Sequence, residues 1–289
     1  MEKSEQNEQN ISIITLMRSS YQNMTKSEKR ITDYILANGQ AVMGQTISDL
    51  AGSTGSSEIT ISRFCKKLGF SGLQSLKIAL AGELYTPSEQ VSQEIDPADS
   101  PQTIAKKLFA SITEGLQDTL QLLDFSEVQK AVDFIAGARQ ICVYGFGNSY
   151  TVCKDIETRF MRFGIPIKAY CDLHMQMTAS ALLTEKDAVI AVSHTGSNID
   201  LLQSVEQAKA NHVPVIAITS YMHSPLCKLA DAVLNGMGRE TAYKSEAVAS
   251  RLIHMAIADI LYMGVYQKHI GSSFSNIKKM RRAIARRRL

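Results

Sequence analysis

Five short apolar runs in the second half of the chain constrain its fold more than any other feature. They are five to seven residues long, rich in Val, Ile and Ala, and continuous rather than alternating. Amphipathic segments separate them. Strands that are apolar on both sides are buried on both faces, as in a parallel sheet covered by helices. The runs therefore predict an α/β domain with a five-stranded parallel sheet flanked by helices. They span residues 140–145, 165–170, 187–192, 213–219 and 231–235.

The rest of the chain has room for a second domain. The whole chain has 289 residues, of which 45% are hydrophobic and 20% charged, a balance typical of globular proteins. No stretch approaches the roughly 18 apolar residues of a membrane span, and the polar N-terminus lacks the apolar region of a secretory signal. We therefore expect a cytoplasmic protein without a membrane partner.

The cysteines predict neither a disulfide framework nor a metal site. Five are scattered through the chain without a CxxC pair, which fits reduced thiols in a cytoplasm. Ligand spacings for a structural metal are missing too, so we expect no metal and no cofactor. The cysteines are Cys65, Cys142, Cys153, Cys171 and Cys227.

Prolines mark the boundary between the two predicted domains. Three of the six fall in the polar segment "TPSEQVSQEIDPADSP", which is typical of a linker. The predicted organisation is an all-α helix-turn-helix domain over 1–85, a linker over 86–101, an α/β domain over 102–272 and a basic tail over 273–289.

Helix signals dominate the segment before the linker. Thr25 and Glu28 have the spacing of a capping box, and Gly39 is expected to end that helix. A short helix fits "TISDLAGS", Gly55 permits a sharp turn, and a third helix fits "SEITISRFCKKLGF". Two short helices joined by a tight turn with glycine are typical of a helix-turn-helix motif.

The third helix presents a polar, basic face opposite its apolar one. Such a face can enter the major groove of DNA, with an arginine reading guanine and lysines holding phosphate. A three-helix bundle with a solvated basic face explains the spacing equally well. The candidate DNA-binding residues are Ser57, Thr60, Ser62, Arg63, Lys66 and Lys67.

Two polar loops follow predicted strands, "YGFGNSY" and "SHTGSNID". The first lacks the third glycine of a dinucleotide fingerprint, because Tyr150 occupies that position. The second has no nucleophile elbow around Ser193, so its Ser, His and Asp do not indicate a catalytic triad. Hydroxyls, a flexible Gly196 with N–H groups turned one way, and a following helix N-terminus favour capture of an anion. A simple helix cap with a tight turn remains the alternative.

These segments resemble a known family. "TISDLAGSTGSSEITISRFCKKLGFSG" resembles the N-terminal domain of the RpiR family of bacterial transcriptional regulators. "VYGFGNSY", "AYCDLHMQM", "AVSHTGSNIDLL" and "ITSYMHSPLCKLAD" resemble its sugar isomerase (SIS) domain, in the same order. The resemblance implies a regulator that binds double-stranded operator DNA as a homodimer or homotetramer, and whose SIS domain binds a phosphosugar.

The resemblance also implies the effector site. It assigns phosphate contacts to the serine of the first loop and to the second loop, in which Asn198 replaces a threonine of many relatives. It places a histidine near the ligand and an acid where SIS enzymes have a catalytic one. With Ser197 from the loop composition, the candidates are Ser149, His174, Ser193, His194, Thr195, Gly196, Ser197, Asn198 and Glu246.

Two main functions follow. The first is a regulator, a repressor of carbohydrate-metabolism genes controlled by a phosphosugar, with no enzymatic activity. The alternative is a SIS-type isomerase, for which Glu246, His174 and His254 are the acid–base candidates. A protein-binding role without DNA is a third, weaker hypothesis. A stand-alone isomerase has no use for a helix-turn-helix, so that motif favours the regulator.

The C-terminus is strongly basic. Residues 278–289 carry seven Lys and Arg and no acid, so with a net charge of +3 for the whole chain the remainder sums to 3 − 7 = −4. Such a segment attracts nucleic acid or another acidic surface. Ile277, Met280 and Ile284 recur at helical spacing through it, which equally fits a solvated helix end.

Overall fold

The computed structural model describes residues 13–84, 95–237 and 248–285. The chain divides into two compact units, Met1–Ser92 and Gln93–Leu289. The finer domain limits set by the prolines stay predictions.

The first unit is helical throughout its described part. The three helices expected from the sequence are present as α2, α4 and α5, and three more accompany them. The six are α1 (Ile13–Ser20), α2 (Lys26–Ala37), α3 (Gly39–Gly44), α4 (Ile47–Thr54), α5 (Glu58–Lys67) and α6 (Leu73–Leu84), with a 3-10 turn at Tyr21–Asn23.

Local signals set most helix ends, with one correction. Thr25 and Glu28 form the expected capping box. The expectation for Gly39 was wrong, because Asn38 ends α2 and Gly39 begins α3. Asn38 donates from its backbone and its side chain to the Tyr34 carbonyl, and its own carbonyl accepts the first bond of α3. Gly55 turns the chain between α4 and α5 with a left-handed φ of 57°.

The apolar faces of these helices form one core. Ile31, Leu50 and Phe64 are fully or almost fully buried in it. Helices α1 and α6 also contribute, through residues such as Met17 and Leu76. Over residues 13–84, six helices rather than three therefore enclose the core.

The second unit has the predicted five-stranded parallel sheet. Its order is β2-β1-β3-β4-β5, and every neighbouring pair is parallel. The strands are β1 (Ile141–Tyr144), β2 (Ile167–Tyr170), β3 (Ala188–Ser193), β4 (Val215–Thr219) and β5 (Ala232–Asn235). All residues of β1, β3 and β4 are buried, as their continuous apolar runs require.

Helices cover both faces of this sheet. They are α7 (Pro101–Leu122), α8 (Phe125–Gly137), α9 (Asn148–Phe160), α10 (Leu173–Leu182), α11 (Ile199–Ala210), α12 (Pro225–Leu229), α13 (Val248–Lys268) and α14 (Ile270–Ala285), with a 3-10 turn at Met161–Phe163. Helices α8, α9 and α13 share one core cluster with the sheet, whereas α11 and α12 share the other.

No sequence pattern singled out α10 or α12. Helix α13 begins at Val248, and the helical spacing of the basic C-terminal segment corresponds to α14, which continues to Ala285. None of the described helices is long and apolar enough to cross a membrane.

Candidate functional site

The strand order places a crevice between β1 and β3. The helix after β1 packs on one face of the sheet and the helix after β3 on the other, so the connections diverge there. In open parallel sheets such a switch point, beyond the carboxyl ends of the strands, is where ligands bind. The two polar loops singled out from the sequence lie at this point, directly after Tyr144 and Ser193.

A cavity of about 150 Å³ opens between these loops. Five predicted effector residues line it, together with three apolar residues that the sequence did not suggest. The lining is Phe146, Ser149, Val192, Ser193, His194, Thr195, Asn198 and Leu201. None of these eight residues is a lysine or an arginine.

The remaining effector candidates are placed differently. Gly196 and Ser197 belong to the loop but do not line the cavity. His174 is exposed in the first turn of α10, with its carbonyl accepting from the Thr178 hydroxyl. Glu246 lies outside the described residues.

The loop after β3 uses its own backbone donors. The Gly196 N–H donates to Ser193 Oγ (3.1 Å), the Ser197 N–H to Thr195 Oγ1 (3.3 Å) and the Leu201 N–H to Asn198 Oδ1 (2.8 Å). These N–H groups are therefore not turned toward an anion, contrary to the sequence-based expectation. A hydroxyl that accepts one bond still has its own hydrogen to donate, and an amide that accepts through Oδ1 retains its NH₂. The side chains of Ser193, Thr195 and Asn198 therefore keep donors for a ligand.

Gly196 has a structural reason to be glycine. Its φ is +60°, and a Cβ there would overlap Ser224 Oγ and approach Thr219 Oγ1 to 3.0 Å. Its carbonyl accepts from the Leu226 N–H at 3.0 Å, which holds the loop against α12. The residue therefore fixes the shape of the loop without lining the cavity.

Two helices begin at the cavity. Helix α9 starts at Asn148 after Gly147, whose φ is 53°, and α11 starts at Ile199 after its cap Asn198. The first turns of helices carry partial positive charge, which favours an anion. The cavity thus combines neutral hydrogen-bond donors with two positive helix ends.

A three-residue chain of hydrogen bonds orients His194. Its Nδ1 lies 2.9 Å from Ser220 Oγ, and His254 Nε2 lies 3.0 Å from the same oxygen. The Ser220 hydroxyl donates its one hydrogen to the Gly236 carbonyl at 2.7 Å. Both imidazoles must therefore donate to Ser220, which fixes Nδ1–H on His194 and Nε2–H on His254. Of these three residues, His194 lines the cavity. No sequence pattern indicated this series of hydrogen bonds.

Burial keeps two cysteines of the chain unreactive. Desolvation raises the pKa of the Cys142 thiol on β1 to about 11 and that of Cys65 on α5 to about 11. Thiols with such pKa values are protonated near neutral pH and are poor nucleophiles and poor metal ligands. Both behave as small apolar core residues.

The first unit holds the candidate nucleic-acid interface on α5. Ser57 caps the helix by accepting from the Thr60 N–H at 3.2 Å, and the two hydroxyls lie 2.8 Å apart. Arg63 and Lys66 are exposed, and Ser62 is half-buried beside them. Helices α4 and α5 are joined by a turn at Gly55, and α5 has the position of the recognition helix of a helix-turn-helix motif.

Lys67, predicted from the sequence to contact DNA, is bound to residues of its own unit. Its ammonium lies 2.9 Å from a Glu28 carboxylate oxygen and 3.5 Å from the Asn23 carbonyl. Burial alone would raise the pKa of Glu28, but hydrogen bonds from Thr25 and Lys67 outweigh it and hold that pKa below its ordinary value. Lys67 therefore ties α5 to the start of α2.

Comparisons with known proteins agree with this architecture. Residues 11–87 match the model of the rpiR-family helix-turn-helix domain, and residues 134–262 match the SIS domain. The chain is 32% identical over 270 residues to the HTH-type transcriptional regulator RpiR of Escherichia coli, covering 93% of this chain and 91% of that protein.

Solved structures of two further proteins are similar. The Vibrio vulnificus NanR protein, complexed with ManNAc-6P, is 27% identical with a TM-score of 0.60, over 94% of this chain and 98% of that one. The sugar isomerase domain of an RpiR transcription factor from Sphaerobacter thermophilus has a TM-score of 0.57 at 22% identity, over 63% of this chain and 99% of that one.

Proposed function

This chain belongs to the RpiR-type helix-turn-helix transcriptional regulators, and from that premise we propose that it is a repressor of carbohydrate-metabolism genes controlled by a phosphosugar. One observation carries the effector part of the proposal. The cavity at the switch point of the SIS domain is lined by small neutral donors and lies at two helix N-termini. Phosphate is the anion that such donors suit.

The roles follow from the lining. Ser193, Thr195 and Ser149 would donate hydroxyl hydrogens to phosphate oxygens, and Asn198 would donate from its amide. His194, whose Nδ1–H is held by Ser220, would contact the phosphate or the sugar from a fixed orientation. Gly196 and Ser197 would shape the loop. Contact of His174 and Glu246 with the sugar stays a prediction.

The similarity to NanR supports the ligand class. That protein is complexed with ManNAc-6P, a phosphosugar, and the similarity covers 94% of this chain and 98% of that one.

The regulatory part rests on α5. Ser57, Thr60, Ser62, Arg63 and Lys66 would face operator DNA, with Arg63 toward a guanine and Lys66 toward phosphate. A homodimer or homotetramer would present paired recognition helices to a two-fold operator. A ligand that binds two quaternary states unequally shifts their populations, and hence DNA binding. We place this activity in the cytoplasm.

The experiment that tests the function is a footprint on the DNA upstream of its own and neighbouring genes, repeated with a panel of sugar phosphates. We expect protection of a two-fold site and a change in its affinity with one of the sugar phosphates. Absence of any protected site would overturn the proposal. Reporter transcription in a deletion strain separates repressor from activator, because a repressor's absence raises expression.

The isomerase alternative has its own test. Curated relatives of this chain are named as transcriptional regulators, which favours a regulator over an enzyme. Incubation of the purified protein with the sugar phosphate that binds best should leave that compound unchanged. Appreciable conversion between aldose and ketose would favour the isomerase over the regulator.

A further inference from the structure

Helix α14 has two chemically different sides. At 100° per residue, Ile277, Met280 and Ile284 share a side with the fully buried Ser273. The basic residues lie on the other side. From Arg281 to Ala285 every residue is exposed, so the basic side and the final turn face solvent.

Helix α14 carries exposed positive charges. Among the described residues no ion pair involves Lys279, Arg281 or Arg282. Lys278 lies with its ammonium 4.4 Å from the centre of the Phe274 ring. No Asp or Glu follows Asp259 in the sequence. Exposed like charges without counter-charges create a positive local field that attracts polyanions.

The helix-turn-helix unit is poor in free cations by comparison. Residues 1–86 have nine Lys and Arg against eight Asp and Glu. Three of those cations are already bound within the unit: Lys67 to Glu28, Lys77 to the Met43 carbonyl at 3.1 Å, and Arg30 to the Gly55 carbonyl at 3.2 Å. The chain's surplus of positive charge therefore lies at its other end.

We propose that α14 is a second contact to duplex DNA, through phosphates and without sequence preference. The proposal rests on the proposed DNA-binding function. Lysine and arginine side chains on one helix face bind phosphates of any sequence, and they add affinity by releasing counterions. In this account α5 selects the site and α14 supplies part of the electrostatic attraction.

Other partners fit α14 less well. A helix that binds a membrane surface buries its apolar side in the lipid, but here Ser273 is buried and Asn276 lies against Gly164, so the domain already covers part of that side. A second copy of the chain meeting this helix about a two-fold axis would bring like charges together, which is unfavourable.

The experiment measures DNA affinity as a function of salt. The full-length protein would be titrated onto fluorescent duplex DNA of random sequence, from low to physiological salt, by fluorescence anisotropy. The test variant combines Lys279→Gln, Arg281→Gln and Arg282→Gln. The matched control combines Lys106→Gln, Lys186→Gln and Lys228→Gln, three exposed lysines of the same unit with the same loss of charge.

We expect the test variant to bind random DNA at least tenfold more weakly than the control variant at low salt. The slope of log affinity against log salt should fall in magnitude by about 2–3 per protomer, roughly 0.9 per lost phosphate contact. Affinities for the footprinted site and for random DNA should fall by the same factor, because α14 carries no sequence preference.

Four outcomes would overturn the inference. The first is a slope of log affinity against log salt that is the same for the test variant and the control variant, while the parent binds DNA. That outcome leaves the proposed function intact. The second is loss of discrimination between the footprinted site and random DNA. The third is a smaller oligomer of the test variant by light scattering, which would make α14 an interface between copies. The fourth is binding of the parent to vesicles of anionic lipid that the test variant lacks, with DNA affinity unchanged. Apart from these four, a parent that binds no DNA at all would overturn the proposed function, and the inference with it.

Discussion

The cavity between β1 and β3 and the basic surfaces of α5 and α14 would all bind phosphate, but by different means. The cavity lining has hydroxyls, an amide and two helix ends, and no lysine or arginine. The exposed faces of α5 and α14 carry Arg63, Lys66, Lys279, Arg281 and Arg282. Oriented neutral donors recognise the shape of one small anion, whereas exposed cations attract any polyanion and are screened by salt. The difference would let the cavity bind a metabolite selectively while the basic helices bind DNA.

The largest expected effect comes from Gly196→Ala. A Cβ at this position meets Ser224 and Thr219, and the left-handed φ adds strain. We expect the free energy of unfolding of the second unit to fall by about 2 kcal/mol or more, with loss of phosphosugar binding. Urea denaturation followed by circular dichroism measures it. Gly137→Ala, where a Cβ meets nothing within 4 Å, is the control and should leave stability unchanged or higher. Equal stability of the two variants would show that the loop does not depend on Gly196.

Removing a donor from the cavity should weaken ligand binding and leave the fold intact. Ser193→Ala and Thr195→Ala each remove a hydroxyl from the lining, and each should weaken phosphosugar binding about tenfold, which corresponds to a lost hydrogen bond to a charged group. A thermal-shift assay over a panel of sugar phosphates measures this, since bound ligand raises the melting temperature. The control is Thr178→Ala, an exposed threonine of α10. If both cavity variants retain the full shift, the ligand binds elsewhere.

Salt should separate the two kinds of phosphate binding. Raising salt from about 50 to 200 mM should weaken DNA binding by more than tenfold and phosphosugar binding by less than threefold, because only DNA binding releases many counterions. Anisotropy for DNA and calorimetry for the sugar phosphate, in the same buffers, give the two slopes. Equal slopes would contradict the contrast between the cavity and the basic helices.

The smallest effects are expected around Lys67. The Lys67 ammonium is already bound to Glu28, so Lys67→Gln should weaken DNA binding by less than twofold. Lys66→Gln should weaken DNA binding by about fivefold. Anisotropy on random DNA compares them. The reverse order would show that the ion pair opens on DNA.

The same ion pair predicts a small dependence of stability on pH. The pKa of Glu28 is lowered in the folded state, so its contribution is present above the unfolded pKa of about 4.3 and is lost as the pH falls through the lower folded value. Since Lys67 is more than a third exposed, we expect less than about 1 kcal/mol. Glu28→Gln should remove this part of the acid sensitivity in urea denaturation measured between pH 3 and 6. An unchanged pH profile would contradict it.

Periodicity and composition predicted the sheet and the two helices of the DNA-binding motif, because continuous apolar runs and capping residues are local signals. Helices α1 and α6 were missed although their residues complete the core of the first unit. The basic C-terminal segment fitted both a tail that attracts acidic partners and a helix end, and the structure has a helix, α14, which contacts α13 and the 3-10 turn at Met161–Phe163. A run of basic residues is found both in extended tails and in helices, so composition alone does not distinguish the two.

Part of the candidate site was predictable for the same reason. Ser193, Thr195 and Asn198 follow one strand directly, so their position at its end required only the strand. The chain from His194 through Ser220 to His254 spans separations of 26 and 34 residues and depends on how β4 and α13 pack, which no local pattern encodes. Sequence likewise did not show that Glu28 holds Lys67, 39 residues away.

The measurement that tests the central claim most directly is DNA affinity with and without the phosphosugar, in the parent and in the Ser193→Ala, Thr195→Ala double variant. Anisotropy on the footprinted site gives both numbers. We predict that the phosphosugar changes the affinity of the parent at least fivefold, and that the double variant binds the same DNA with unchanged affinity and no response. A double variant that responds like the parent would contradict the account, as would a parent that responds to none of the sugar phosphates.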